Sequence, residues 1–269
     1  MNVCVTTPAR SWRPLRPWLD IFVRRFSPRF DIELISANLG GIDTIKPLPP
    51  RSGIDAFYYT DAEIATVANR ASINTWKEVI VSDRETHLNA RLRSRYFKHQ
   101  IHRLPETKPY RWLVWADSSF LFKELDFIKD IVEKLGQLPP HDRLMLVPHP
   151  HRQTVRQEID FVLSQIEQGN EYLRVRYGQG KTNEVIEHLT TRGFSLSDRL
   201  WCGGFWIIEN NSIINQAWDA WWAYTCRFNT QDQYFLPAAM AEYGLRPQAL
   251  NVNIFANQHF EWVRHSKNI

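Results

Sequence analysis

Asp117 follows directly on the apolar run Trp112-Leu113-Val114-Trp115-Ala116 and is followed by two small residues, Ser118 and Ser119. An acid at the end of a buried strand faces the crevice where open α/β sheets bind ligands. A carboxylate there suits a divalent cation bound against a diphosphate; it equally suits the cap of the next turn. Upstream, Arg91, Arg95 and Lys98 recur at spacings of four and three, which puts them on one helical face. Like charges so placed fit either a polyanion, such as a diphosphate or a DNA backbone, or a solvated basic face. Pro148-His149-Pro150-His151-Arg152 follows another apolar run, 144–147. The spacing is loose for zinc and no Cys is near, so a hydrogen-bonding role towards a sugar or phosphate is the better reading. Asp232, in Gln231-Asp232-Gln233, either caps a helix or points an acid into the crevice.

These groups need a frame, and the hydrophobic pattern supplies one. Strands are expected at 2–7, 32–36, 56–60, 78–82, 112–116, 144–147 and 205–208. Helices are expected at 15–26, 87–99, 126–135, 153–168, 184–192, 212–224 and 232–243. Strands alternating with helices imply crossover connections and an α/β, mostly parallel sheet. The chain has 269 residues, enough for one such domain. With 43% hydrophobic and 23% charged residues the composition is that of a globular protein. The eleven Trp are high, and serve as core or as flat faces for sugar rings and bases.

A net charge of +4 favours anionic ligands without choosing among them. Cys4, Cys202 and Cys226 are odd in number and far apart, which indicates neither a disulfide framework nor a zinc site and suits a reducing cytoplasm. No apolar run has the length of a transmembrane span, and the N-terminus lacks the apolar core of a signal peptide. Trp12, Trp18, Phe22 and Phe26 lie among Arg10, Arg13, Arg16, Arg24 and Arg25. That pattern reads as an amphipathic helix packed on the sheet, or as a surface-binding helix.

In this order the clusters resemble the TOD/MUCI-type glycosyltransferase-like domain. The resemblance runs from about residue 31 to 244. It is carried by Ala37-Asn38-Leu39-Gly40-Gly41-Ile42-Asp43, Tyr58-Tyr59-Thr60-Asp61, Ser94-Arg95-Tyr96-Phe97-Lys98, Val114-Trp115-Ala116-Asp117-Ser118, His149-Pro150-His151-Arg152 with Glu158, Gly203-Gly204-Phe205-Trp206-Ile207-Ile208, and Trp221-Trp222 ahead of Gln231-Asp232-Gln233. It implies a GT-A fold and a nucleotide-sugar donor, UDP-linked. The nucleoside would sit against Ala37, Asn38, Gly40, Gly41, Thr60 and Asp61, and the diphosphate against Arg95 and Lys98, with Asp117 and Ser118 also touching the nucleotide-sugar. Asp117 matches the first acid of the metal-binding Asp-x-Asp motif; Ser119 stands where the second acid would be, so Mn²⁺ or Mg²⁺ is expected only conditionally. His259 or His265 would complete the metal site. Asp232 and Gln233 resemble the acidic-Gln pair near the anomeric carbon. His149, His151, Arg152, Gly203, Gly204 and Trp201 are expected around the acceptor or transferred sugar. Residues 1–30 are either an extension or the first β-α unit of a single domain.

The acceptor is expected to be a glycan hydroxyl. A hydroxymethylated pyrimidine in DNA is the alternative, with Trp12, Trp18 or Trp201 stacking in place of a flipped base. Two further readings are a carbohydrate- or DNA-binding module without catalysis, favoured by Ser119, and a metal-dependent hydrolase built on His149, His151 and Asp117.

Overall fold

The computed structural model describes residues 31–40, 43–49, 53–61, 75–178 and 182–263. The chain divides into two units, residues 1–30 and 31–269, and every described residue belongs to the second. The expected strand at 2–7, the helix at 15–26, Cys4, Trp12, Trp18, Gly41 and His265 therefore lie outside the described residues.

The frame is a seven-stranded sheet. In chain order its strands are β1 (Ile32–Asn38), β2 (Asp55–Thr60), β3 (Glu78–Val81), β4 (Trp112–Ala116), β6 (Leu144–Pro148), β7 (Trp201–Glu209) and β8 (Gln248–Ala249). Across the sheet they run β3-β2-β1-β4-β7-β6-β8. The β1–β2, β1–β4, β2–β3 and β6–β8 pairs are parallel. Among the described residues, β7 alone runs against its neighbours, β4 and β6. The architecture is thus the expected mixed, mostly parallel α/β sheet. A two-stranded ribbon, β5 (Phe120–Phe122) with β9 (Phe260–Trp262), stands beside it.

Every residue of β1 and β4 is buried. Strands buried along their whole length need cover on both faces, and seven helices of the described residues accompany them. These are α1 (Ala90–His99), α2 (Asp126–Gly136), α3 (Val155–Glu167), α4 (Glu171–Tyr177), α5 (Thr182–Thr191), α6 (Ser212–Phe228) and α7 (Leu236–Glu242). In α6 the buried residues Ile214, Ala217, Trp218, Trp221, Tyr224, Thr225 and Phe228 recur every three or four positions, which is the face a helix turns to a core. Trp206 of β7 meets Trp218 edge-on at 5.3 Å and Trp115 at 6.4 Å. Asn211 starts α6 by accepting from the Ile213 and Ile214 amides. Such a cap contributes ~1 kcal/mol, against ~2 kcal/mol for each fully buried large apolar side chain; burial, not capping, fixes where α6 lies.

One expected element divides. The helix expected at 232–243 is a 3₁₀ turn, Asp232–Tyr234, followed by α7. Pro237 lies in the first turn of α7, where its missing N–H is harmless; placed mid-helix it would oppose the carbonyl four residues back. Among the described residues no helix is long and apolar enough to cross a membrane. Cys202 and Cys226 are both free.

Candidate active site

The antiparallel course of β7 sets up the site. Its first residues, Trp201 to Gly204, lie beside the carboxyl end of β4, where the Asp117 amide donates to the Gly204 carbonyl at 2.8 Å. A cavity of about 720 Å³ opens there. Its floor comes from Ala37 and Asn38 at the end of β1, from Trp115, Asp117, Ser118 and Ser119 at the end of β4, and from Gly203 and Gly204. One face of α1 forms a wall through Arg91, Ser94, Arg95 and Lys98, and Asp232 and Gln233 add the 3₁₀ turn.

Asp232 is the centre of the charge pattern. Its Oδ1 accepts from Arg95 at 3.1 Å and its Oδ2 from Lys98 at 3.1 Å. His99 Nε2 stands 3.3 Å from the same Oδ2. Arg95 also donates to the Thr230 carbonyl at 2.9 Å, which ties α1 to the chain entering the turn. Burial opposes ionisation of Asp232, but Arg95, Lys98 and His99 outweigh it and hold the carboxyl well below its usual range. His99 is fully buried, stacked on Trp221 at 3.8 Å, and burial takes its pKa down to about 4 despite Asp232. It is neutral at pH 7, with Nε2 carrying the proton it shares with the carboxylate; its Nδ1 has no hydrogen-bond partner among the described residues. Trp221 Nε1 in turn donates to the Asp232 carbonyl at 2.8 Å. The sequence offered Asp232 as a helix cap or as an acid pointed into the crevice; it lines the cavity. Its side chain caps nothing, because the cap position of the turn belongs to Gln231, and both its oxygens are engaged by cationic and imidazole donors.

Lys98 links the two acids. Its ammonium lies 4.0 Å from Asp117 Oδ1 as well as against Asp232. It occupies the space a side chain at 203 would need: a Cβ on Gly203 would stand 2.9 Å from Nζ. Gly204 does the same for Asp117, whose Oδ2 would lie 3.1 Å from a Cβ there. The Asp117 side chain remains 43% exposed, anchored by Trp115 Nε1 at 2.7 Å.

The other expected residues fall in several places. Asn38 folds the loop after β1, its Nδ2 donating to the Asp43 carbonyl at 2.6 Å, and Ser118 Oγ donates to Asp43 Oδ2 at 2.6 Å. Thr60 is buried and donates to the Asn38 carbonyl, while Asp61 accepts from the Gly40 amide at 2.7 Å. Thr60, Asp61 and Gly40 thus shape the loop and are not part of the cavity lining. Gly40 has φ +83°, and a Cβ would meet Ala90 at 3.0 Å, so α1 packs closely on this turn.

His149, His151 and Arg152 also stand outside the cavity lining. Arg152 pairs with buried Glu158, and His149 Nδ1 accepts the amides of His151 and Arg152. Burial, with Arg152 and His151 beside it, lowers the His149 pKa to about 4. Gln231 joins Glu158 to Gln233, and Gln233 donates to the Trp201 carbonyl. Trp201 itself is buried, so it is not a ring available for stacking on a base.

Ser119 lines the cavity but is buried. His259 stacks on Phe127 at 4.3 Å and pairs with Glu124 beyond the end of β5 remote from Asp117, so it is not brought to the acid. Among the described residues no three His, Cys, Asp or Glu side chains gather as a metal-ligand set. Several lining residues had not been singled out from the sequence as site residues: Asp43, Asn89, Tyr172, Val175 and Trp262. Asp43 had a signal, its place at the end of the Gly-Gly loop; the aromatic residues had none beyond their type.

No family model matches the chain, and no curated protein matches it. Among solved structures the chain is similar to mouse xyloside xylosyltransferase 1 in its apo form, with 9% identity, a TM-score of 0.44, and coverage of 82% of this chain and 85% of that one. Likeness at this level is too weak to bear on chemistry.

Proposed function

We propose that the protein is a glycosyltransferase that takes a nucleotide-diphosphate sugar, UDP-linked, and moves the sugar onto a glycan hydroxyl. One observation carries this reading. Four clusters far apart in sequence, the loop after β4, the basic face of α1, the Gly-Gly start of β7 and the Asp232-Gln233 turn, converge on one cavity at the carboxyl ends of the strands, the place where open α/β sheets take nucleotides.

In the reaction the bond between the anomeric carbon and the diphosphate oxygen breaks, a bond to the acceptor oxygen forms, and the acceptor hydroxyl loses its proton. Lys98 and Arg95 offset the charge left on the diphosphate. Asp232 is a positioning residue, acting through those two cations. Among the described residues the lining carries three cationic side chains, Arg91, Arg95 and Lys98, against four carboxylates, Asp43, Asp117, Glu171 and Asp232. A diphosphate entering so balanced a cavity calls for a further cation. Mg²⁺ is commonly held by one or two carboxylates together with substrate phosphates, so Asp117, with Ser119 beside it, fits as the protein's side of such a site. Mn²⁺ or Mg²⁺ bound there would supply positive charge to the departing diphosphate.

Calorimetry with UDP tests the reading. UDP is expected to bind, and to bind at least about tenfold more weakly when EDTA replaces Mn²⁺. A screen of nucleotide-sugars should then find one that is consumed. No affinity for any nucleoside diphosphate would sink the proposal. Asp117→Ala should lower turnover by about a thousandfold while leaving the circular dichroism spectrum unchanged, because the side chain is half exposed; undiminished turnover would remove Asp117 from the mechanism.

A further inference from the structure

The cavity does not end in a closed wall. Trp262 of β9 lines it, and its ring meets Phe255 edge-on at 6.1 Å. Phe255 stacks on His151 at 5.5 Å with the planes 27° apart. Phe255 is 41% exposed, and His151 is exposed as well. Three rings in succession therefore lead from the cavity out to the surface.

The backbone holds this row in place. The Trp262 amide donates to the Phe255 carbonyl at 2.7 Å, and Ala256 bridges Glu261. Asn253 Oδ1 accepts the Phe255 amide at 3.0 Å. From the other side, His149 Nδ1 accepts the His151 amide.

Stacked rings suit sugars and nucleobases alike, so the charge around them decides. Among the described residues of this segment, 253–263, there is no Lys or Arg; Arg264 and Lys267 follow outside them. Among the described residues, charged side chains near the row stand in pairs: Lys123 with Glu261 at 3.6 Å, Glu124 with His259, and Arg152 with Glu158. The remaining polar groups are the neutral amides Asn253, Asn257 and Gln258. A nucleic-acid strand needs cations along its phosphates; a neutral glycan needs apolar ring faces and hydroxyl partners.

We propose that Trp262, Phe255 and His151 form a track that binds the successive rings of a neutral oligosaccharide acceptor and leads its end into the cavity. The proposal rests on the glycosyltransferase reading for what happens at that end, and gives His151 an acceptor role without placing it at the reacting atoms.

The test is a binding series of gluco-, galacto-, manno- and xylo-oligosaccharides of one to six units, measured on the full chain with and without UDP. A single-stranded oligonucleotide containing hydroxymethylcytosine is measured alongside. For at least one sugar series, affinity should rise about tenfold or more from one unit to three. Phe255→Ala should flatten that rise while melting temperature and UDP affinity stay unchanged, and Phe255→Tyr should restore it. A flat length series, no binding to any oligosaccharide, or a Phe255→Ala variant as length-dependent as the parent would overturn the track. So would tighter, steeply salt-dependent binding of the oligonucleotide. Failure of UDP to bind would count against the donor reading alone, because the oligosaccharide series without nucleotide still reads the track.

Discussion

Asp232 and Glu33 are both buried carboxylates, and the protein treats them in opposite ways. Asp232, at the carboxyl ends of the strands, is surrounded by Arg95, Lys98 and His99 and is held ionised. Glu33 lies near the start of β1, fully buried, and neither carboxyl oxygen has a hydrogen bond among the described residues. Burial, then the nearby Glu106, raises its pKa to about 8, and Lys77 only partly offsets this. One end of the sheet therefore keeps its charge, paired and positioned beside a cavity; the other keeps an acid neutral inside a wall of apolar strand. The difference separates a paired carboxylate at the cavity from an unpaired one inside the sheet more sharply than burial does.

The largest expected effect comes from removing the charge at the first end. Asp232→Ala leaves Arg95 and Lys98 buried without their counter-ion, and should cost ~3–5 kcal/mol in chemical denaturation. Because the folded-state pKa of Asp232 is depressed, its contribution is present above the ordinary carboxylate range and fades as pH falls below it. A variant as stable as the parent at pH 7 would mean the cluster is not a paired unit.

Glu33→Gln should do the reverse. Below about 4.5 the carboxyl is protonated in both folded and unfolded chains; from there to about 8 only the folded state keeps the proton, so its penalty grows with pH and then levels off. The variant should match the parent near pH 4 and exceed it by ~3 kcal/mol at pH 7. Parallel stability curves for the two would remove the contrast.

Gly203→Ala tests whether the ammonium position matters to a ligand. The added Cβ would crowd Lys98 Nζ, and UDP affinity should fall about tenfold, or ~1.4 kcal/mol. Unchanged affinity would mean that Lys98 can move aside without loss. The smallest effect is expected from Glu106→Gln, which weakens one of the charges acting on Glu33 and one ion pair to Arg84; stability at pH 7 should move by less than ~1 kcal/mol.

The frame was largely legible in the sequence where hydrophobic pattern and length agreed. The run 112–116 is β4 without change, and the helix expected at 126–135 is α2 with one residue added. The short elements were not legible: β5, β8, β9 and α4 have seven residues or fewer and too few repeats for periodicity to show. In the site, Arg91, Arg95 and Lys98 could be set on one face because helical spacing is local. That Lys98 would join Asp117 to Asp232 across a glycine could not be read, since it depends on β7 running backwards beside β4. The same long-range placement put His149, Arg152 and Glu158 into a buried cluster beside the cavity and not in its lining.

That reversed strand also governs how the molecule is made. β4 pairs with β7 from Trp112 opposite Glu209 to Ala116 opposite Phe205, a junction between segments far apart in the chain. Pairings of this kind form late, because a long loop must close first. Until they do, the flank of Trp112-Leu113-Val114-Trp115-Ala116 is an unpaired apolar edge, which invites association with other chains. Refolding yield should therefore fall with protein concentration, and UDP binding should return after secondary structure does: the chain is most prone to aggregate in the interval before it has a site to offer.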